Sequence, residues 1–146
     1  MSGEPGPKRE AAGPTVLVSN RQPDLVDADG LATLAADVLI GEGRGDVELS
    51  LSFVTEDEIA GLHVRYMDEP GPTDVLSFPM DEEGLLGDVV VCPAVAARNN
   101  PVDPPGELRL LVVHGILHLL GHDHEDEAER AEMWATQERY SGVRAP

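Results

Sequence analysis

His114-Gly115-Ile116-Leu117-His118-Leu119-Leu120-Gly121-His122-Asp123-His124 is the stretch on which the reading of this chain turns. It follows an apolar approach, Leu108-Arg109-Leu110-Leu111-Val112-Val113. His114 and His118 are four apart, so on a helix they project from one face, one turn above the other. Gly121 is a natural helix stop, and beyond it the chain can turn and bring His124 beside the other two. Three imidazoles converging on one point make a metal site, most naturally zinc with one coordination position left open. Burying three polar rings without a shared partner would cost roughly 1–3 kcal/mol each, which weighs against packed core histidines with no metal.

The helix that carries the first two histidines is expected over residues 107–120. It is apolar on nearly every face, which predicts burial on most sides. Gly115 in its interior costs about 1 kcal/mol relative to Ala, so something is expected to need the missing side chain. After His124, residues 125–140 read as an amphipathic helix with Ala128, Ala131, Trp134 and Ala135 as its inner face. Upstream, residues 47–54 alternate: Val47, Leu49, Leu51 and Phe53 on one face, Glu48, Ser50 and Ser52 on the other, the pattern of a half-buried strand.

Thr55 and Glu58 stand as N-cap and N3 of a capping box. The helix they open carries Ile59 and Leu62, runs to about Tyr66 and is broken by Pro70-Gly71-Pro72. Residues 73–79 read as a short extended segment. An acidic loop over 81–84 then leads to a strand at 86–91. Pro93 suits the first turn of a short helix through Ala97, and residues 99–106 read as a proline-rich linker. Near the beginning, residues 15–20 are a strand candidate. Asp24 or Asp27 can cap a helix with Leu31, Leu34, Ala35, Val38 and Leu39 as its apolar face, ending near Gly41.

A length of 146 residues with 41% apolar composition predicts one soluble domain with a real core. Residues 1–14, rich in Gly, Pro and charge, are expected to be a disordered leader, and 15–146 a single domain built around the metal site. No apolar run approaches a membrane span, and the N-terminus lacks a signal-peptide pattern. The single cysteine, Cys92, excludes an internal disulfide and suits a reducing cytoplasm. Val89-Val90-Val91-Cys92-Pro93 reads as the end of a buried strand, with Cys92 a small core residue. Ten Lys+Arg against 28 Asp+Glu give a net charge of −18, which argues against a general nucleic-acid or anionic-membrane binder. Aromatic residues at 3% leave few platforms for base stacking. A local cationic cleft around a metal remains compatible with an acidic protein.

The spacing H-x-x-x-H-x-x-G-x-x-H is that of metzincin proteases, H-E-x-x-H-x-x-G-x-x-H. Those enzymes carry a glutamate general base at the second position, where this chain has Gly115. Glycine cannot take a proton from water, so peptide hydrolysis by that route lacks its base. Zinc still lowers the pKa of bound water to about 7 and polarises an oxygen ligand, which suits attack on a phosphodiester or an ester. Arg65, Arg98 and Arg109 are candidate phosphate partners, with Thr73 and Ser77 as candidate hydroxyl donors. Asp123 either orients a ligand histidine or completes the turn. His122 reads as solvent-exposed rather than as a ligand.

The eleven-residue stretch closely resembles the H-G-x-L-H-L-x-G-(Y/H)-D-H signature of the YbeY family, bacterial metal-dependent endoribonucleases and ribosomal RNA maturation factors. Pro72-Thr73-Asp74-Val75-Leu76-Ser77-Phe78-Pro79 is similar to the family's P-T-(D/N)-V-L-S-F-P segment, and Leu86-Gly87-Asp88-Val89 to its L-G-D-I strand. Motifs in this order cover about residues 47–140. The resemblance implies a single α+β domain, a small mixed β-sheet packed with helices, whose central buried helix carries two zinc-ligand histidines. It implies one zinc ion per chain on His114, His118 and His124. It also implies a single-stranded RNA substrate, small-subunit ribosomal RNA processing and ribosome quality control. A cytoplasmic location and ribosomal small-subunit components as partners go with it, with no membrane and no DNA.

The family commonly has an arginine, linked to activity, directly after the aromatic that matches Tyr66. Met67 stands at that position, and His63 stands where asparagine is common. Arg65, two residues before Met67, is the candidate catalytic substitute. Three readings follow in order. The first is a zinc-dependent, single-strand-specific endoribonuclease. The second is a metal-stabilised ribosome-assembly factor with little nuclease activity of its own, motivated by the charge, the few aromatics and Met67. The third is a metalloprotease, against which Gly115 argues.

Overall fold

The alternating stretch forms β2 (Glu48–Phe53), with Leu49, Leu51 and Phe53 fully buried and Glu48, Ser50 and Ser52 half-buried. The computed structural model describes residues 13–143, so the leader expected over 1–14 lies outside the described residues except for Gly13 and Pro14. β2 pairs in parallel with β1 (Thr15–Asn20) on one side and with β4 (Leu85–Val91) on the other. β3 (Val75–Glu82) runs antiparallel to β4, giving a mixed four-stranded sheet in the order β1-β2-β4-β3. Five helices complete the described residues: α1 (Ala28–Gly41), α2 (Glu56–Met67), α3 (Pro93–Asn99), α4 (Pro104–Leu119) and α5 (Glu127–Ser141). The result is the single α+β domain expected. None of these helices is long and apolar enough to cross a membrane.

β4 explains how the layers are held. Val89 and Val91 enter one core with Leu49, Leu51, Phe53, the apolar face of α1 and most of α4. Val90 points the other way, into a smaller core with Ile59 of α2, Leu76 of β3, Cys92 and Val95 of α3. A strand covered on both faces reads as a continuous apolar run rather than an alternating one, which is how Val89-Val90-Val91-Cys92 reads. Cys92 is fully buried and unpaired, and burial pushes its thiol up from the ordinary range, in keeping with a core residue.

α4 begins three residues earlier than expected, inside the stretch read as a linker. Asp103 accepts a hydrogen bond from the Gly106 amide at 3.1 Å, and Pro104 and Pro105 fill the first helical positions. Proline is pre-set for a first turn, where its missing N–H would be unsatisfied anyway. From Leu108 to Leu117 nearly every residue of α4 is buried. The helix passes so close to the sheet that a Cβ at position 115 would lie 2.7 Å from Val89 Cγ1 and 3.2 Å from Ser77 Oγ. Ser77 Oγ donates to the Gly115 carbonyl at 3.2 Å. The interior glycine is thus the contact point between helix and sheet.

Three other expectations are corrected. Thr55 caps α2, accepting from the Glu58 amide, but the Glu58 carboxylate turns to Arg21 at 2.7 Å, so only half of the capping box forms. β3 is longer than the extended segment read over 73–79: residues 81 and 82 belong to the strand, and the turn is confined to Glu83-Gly84, with Gly84 at φ +83°. α5 starts at Glu127, capped by Asp126, and buries Met133, Thr136, Gln137 and Ser141. Trp134 is half-buried as expected, but Ala128, Ala131 and Ala135 are exposed. Apolar gain scales with area, so Met133 and Trp134 set the helix rotation and the alanines lose little by facing solvent.

Gly115→Ala is expected to destabilise the protein, because Val89 is fully buried and cannot retreat. Overpacking of this kind costs about 1–3 kcal/mol, against about 1 kcal/mol gained in helix propensity. Denaturant melts should also show that Gly115→Ala with Val89→Ala is less damaging than the sum of the two single changes. Simple additivity would contradict the contact.

Candidate metal centre

His114 and His118 project from consecutive turns of α4, with ring centroids 4.8 Å apart. The helix ends just beyond them. Gly121, at φ +100°, donates to the His118 carbonyl at 3.1 Å, and the His122 amide donates to the Leu117 carbonyl at 2.9 Å. Glycine adopts this left-handed geometry without the penalty a side chain would bring. The returning loop places the His124 ring 6.1 Å from His114 and 5.3 Å from His118. The loop is pinned on both sides of that residue: the His124 amide donates to Asp123 Oδ1 at 2.7 Å, and Arg130 donates to the His124 carbonyl at 3.2 Å. Trp134 stands edge-on to His114 and His124, at 6.1 and 5.8 Å, and closes one side.

One ligand nitrogen from each of the three histidines lies within 4.8 Å of the others. Two nitrogens bound at about 2.0–2.1 Å to a tetrahedral ion would be roughly 3.3 Å apart, a difference that small side-chain rotations close. The donor set also fits in its chemistry. His114 Nδ1 donates to Gln137 Oε1 at 2.9 Å, which leaves Nε2 with the free lone pair. Burial pushes the His114 pKa below the ordinary 6.5, aided by His124, while the Gln137 hydrogen bond opposes it. His118 is pushed down by burial and then by His114 and His124. Both shifts favour the neutral imidazole, which is the form that ligates. The three histidines can therefore hold a metal ion.

A cavity of about 390 Å³ opens beside the histidines, between α4 and β3, with Met67, Ser77, Pro79, His114 and His118 among its walls. A second, of about 250 Å³, lies against His114 between Asp74, Glu107, Trp134 and Gln137. Burial raises the Glu107 carboxyl above the ordinary range, with Asp74 adding to it.

The other residues singled out in the sequence fall as follows. Arg65 is exposed on the last turn of α2, its guanidinium 5.5 Å over the Tyr66 ring, and it does not line the cavity beside the histidines. Met67 does line it. Arg98 pairs with Glu56 at 2.7 Å, and Arg109 donates to the Ser141 carbonyl at 3.1 Å. Thr73 is not part of the cavity wall, while Ser77 is. Asp123 completes the turn by accepting from the His124 amide at 2.7 Å. His122 is half-buried rather than exposed, and its Nε2 lies 3.5 Å from Glu42. Gln137 is the residue that sequence reasoning missed: nothing marks a glutamine as the partner of a histidine 23 positions away. The position that carries the metzincin glutamate is buried against Val89 and Ser77 and has no room for that side chain.

The family model described as endoribonuclease YbeY matches residues 18–142. A relative named endoribonuclease YbeY from Acidothermus cellulolyticus is 54% identical over 108 residues, covering 62% of this chain and 66% of that one. One of the same name from Thermobifida fusca is 46% identical over 140 residues, covering 84% and 89%. A solution structure of a protein from Thermotoga maritima matches with a TM-score of 0.62 at 32% identity, covering 87% of each chain.

Two measurements probe the centre. Unfolded imidazoles take up protons as pH falls through about 6.5, whereas the depressed folded ones do so only at lower pH. The metal-free protein should therefore be at full stability on this account above about 6.5 and lose stability as pH drops below it. Denaturant melts in chelator at pH 7.5, 6.5 and 5.5 check this, and His114→Gln should show the shallower fall. Gln137→Leu should weaken zinc affinity about 10–100-fold, as loss of a ligand's hydrogen-bonding partner does. Competition with a chromophoric chelator reads it, and unchanged affinity would remove Gln137 from the centre.

Proposed function

This chain belongs to the endoribonuclease YbeY family, and on that premise we propose that it is a zinc-dependent endoribonuclease acting on single-stranded RNA in ribosomal RNA maturation. The observation that carries the reading is the convergence of His114, His118 and His124, the first two of them on the wall of a cavity. These three histidines hold one zinc ion per chain, and residues 15–146 act as a single metal-dependent hydrolase domain. When bound, zinc supplies an acidified water and a Lewis acid for a phosphoryl oxygen.

The chain's own residues do the positioning. Gln137 fixes the ring of His114 so that Nε2 is presented. Trp134 and the apolar end of α4 limit water around the imidazoles. The cavity beside them, walled by Met67, Pro79 and Leu119 as well as His114 and His118, takes the nucleoside next to the scissile phosphodiester. Such a shallow, mostly apolar recess suits an unstacked base of a single strand rather than a duplex. Small-subunit ribosomal components as partners, ribosome quality control as the wider role and a cytoplasmic location complete the proposal. The buried, unpaired Cys92 accords with that location.

One observation favours a second reading, a metal-stabilised ribosome-assembly factor with little cleavage of its own. No arginine or lysine lines the cavity beside the histidines among the described residues, and Met67 occupies its wall. The two readings separate in a cleavage assay. Zinc-loaded protein should cut single-stranded RNA, chelation should stop it and zinc should restore it, while His118→Ala should lose both metal and cleavage. Absence of cutting at excess zinc-loaded protein, with copurification on ribosomal particles, would favour the assembly factor. Retained cleavage by rigorously metal-free protein would overturn the zinc-dependent reading.

A further inference from the structure

His122 follows His118 at the same four-residue spacing by which His118 follows His114. If α4 ran one turn further, His122 would project from the same face as the other two. An ion with four imidazoles has no open position and becomes a structural centre rather than a reactive one. Yet His122 is not in the converging group, and its Nε2 lies instead 3.5 Å from Glu42 Oε1. Gly121 starts the divergence by ending the helix. His122 lies two positions from His124 in the same loop, and the charged side chain it meets there is Glu42.

Glu42 has no reason to be where it is for the sake of its own helix. It caps the C-terminus of α1, where the macrodipole disfavours a carboxylate. Its partners come from elsewhere: the Tyr140 hydroxyl donates to Oε2 at 2.8 Å, and Arg139 Nη2 lies 3.5 Å from the same oxygen. The preceding residue makes this approach possible, since a Cβ at Gly41 would collide with the Tyr140 hydroxyl. The Glu42 and His122 side chains are 20% and 21% exposed, so their contact is largely screened from water. Two helices from different parts of the chain are thus shaped to bring one carboxylate to His122.

We propose that Glu42 holds His122 out of the coordination sphere formed by His114, His118 and His124, so that the ion keeps an open position. The proposal rests on the metal centre proposed above, and Glu42 is a positioning residue in it. Cobalt(II) reads the ligand set by its visible absorption. Metal-free protein would be loaded with one equivalent of cobalt(II), and its spectrum and its rate of cobalt loss to a chelator recorded. Glu42→Ala should shift the bands towards four nitrogen donors and slow cobalt loss at least tenfold. The further change His122→Ala in the same protein should return both to wild-type values. Glu42→Gln, which keeps an acceptor for Tyr140 and a polar contact for His122, should stay near wild type. Where Glu42→Ala does not fold, Glu42→Met keeps the stem and takes its place. Wild-type spectra and rates in the Ala or Met variant would overturn the proposal, as would a change that persists without His122. A wild-type protein that takes up no cobalt would overturn the metal centre itself, and the proposal with it.

Discussion

At Gly115 the central helix lies so close to the sheet that even a methyl group would press on Val89. The depth of α4 follows from that contact, and the position of the histidines follows from the depth. His114 precedes the contact and His118 lies one turn beyond it, so both are carried to the rim between α4 and β3 instead of into the core. The same closeness excludes the side chain that a protease of this spacing would need at position 115. One packing constraint thus sets the place of the centre and narrows its chemistry.

The third histidine depends on how the helix is stopped. Gly121 turns the chain, the Leu117 and His118 carbonyls take the first amides of the loop, and Asp123 and Arg130 hold His124 by its backbone. α5 then closes over the cluster with Trp134 and Gln137. The two polar residues that α5 buries next to each other are both satisfied: Thr136 by the Glu132 carbonyl, Gln137 by His114. A buried polar group left unpaired costs about 1–3 kcal/mol, so Gln137 orients His114 and His114 in turn justifies the burial of Gln137.

Much of this was legible in the sequence because it is local. The alternation of β2, the glycine stop, the i, i+4 histidines and the oddity of a glycine inside an apolar helix all depend on neighbours within a few residues. What escaped depends on distant partners. Gln137, Glu42 and the pairing of Arg109 with Ser141 are set by how α1, α4 and α5 pack, and no spacing records that. The start of α4 was missed because Pro104-Pro105 signals both a linker and a first helical turn, and Asp103 decides for the latter. The inner face of α5 was misplaced because alanines fit either face, whereas Met133 takes the buried one. Glu58 had a local role available and took Arg21 instead. Arg65 lies near the expected register but faces Tyr66, which leaves Met67 on the cavity wall.

The central claim is that three imidazoles, and no other side chain, bind one ion and leave it accessible. X-ray absorption at the zinc edge of the stoichiometrically loaded protein measures this directly. The account predicts three imidazole nitrogens and one non-imidazole oxygen at about 2.0–2.1 Å. Four imidazoles, a sulfur neighbour from Cys92, or fewer than three histidine shells would contradict it.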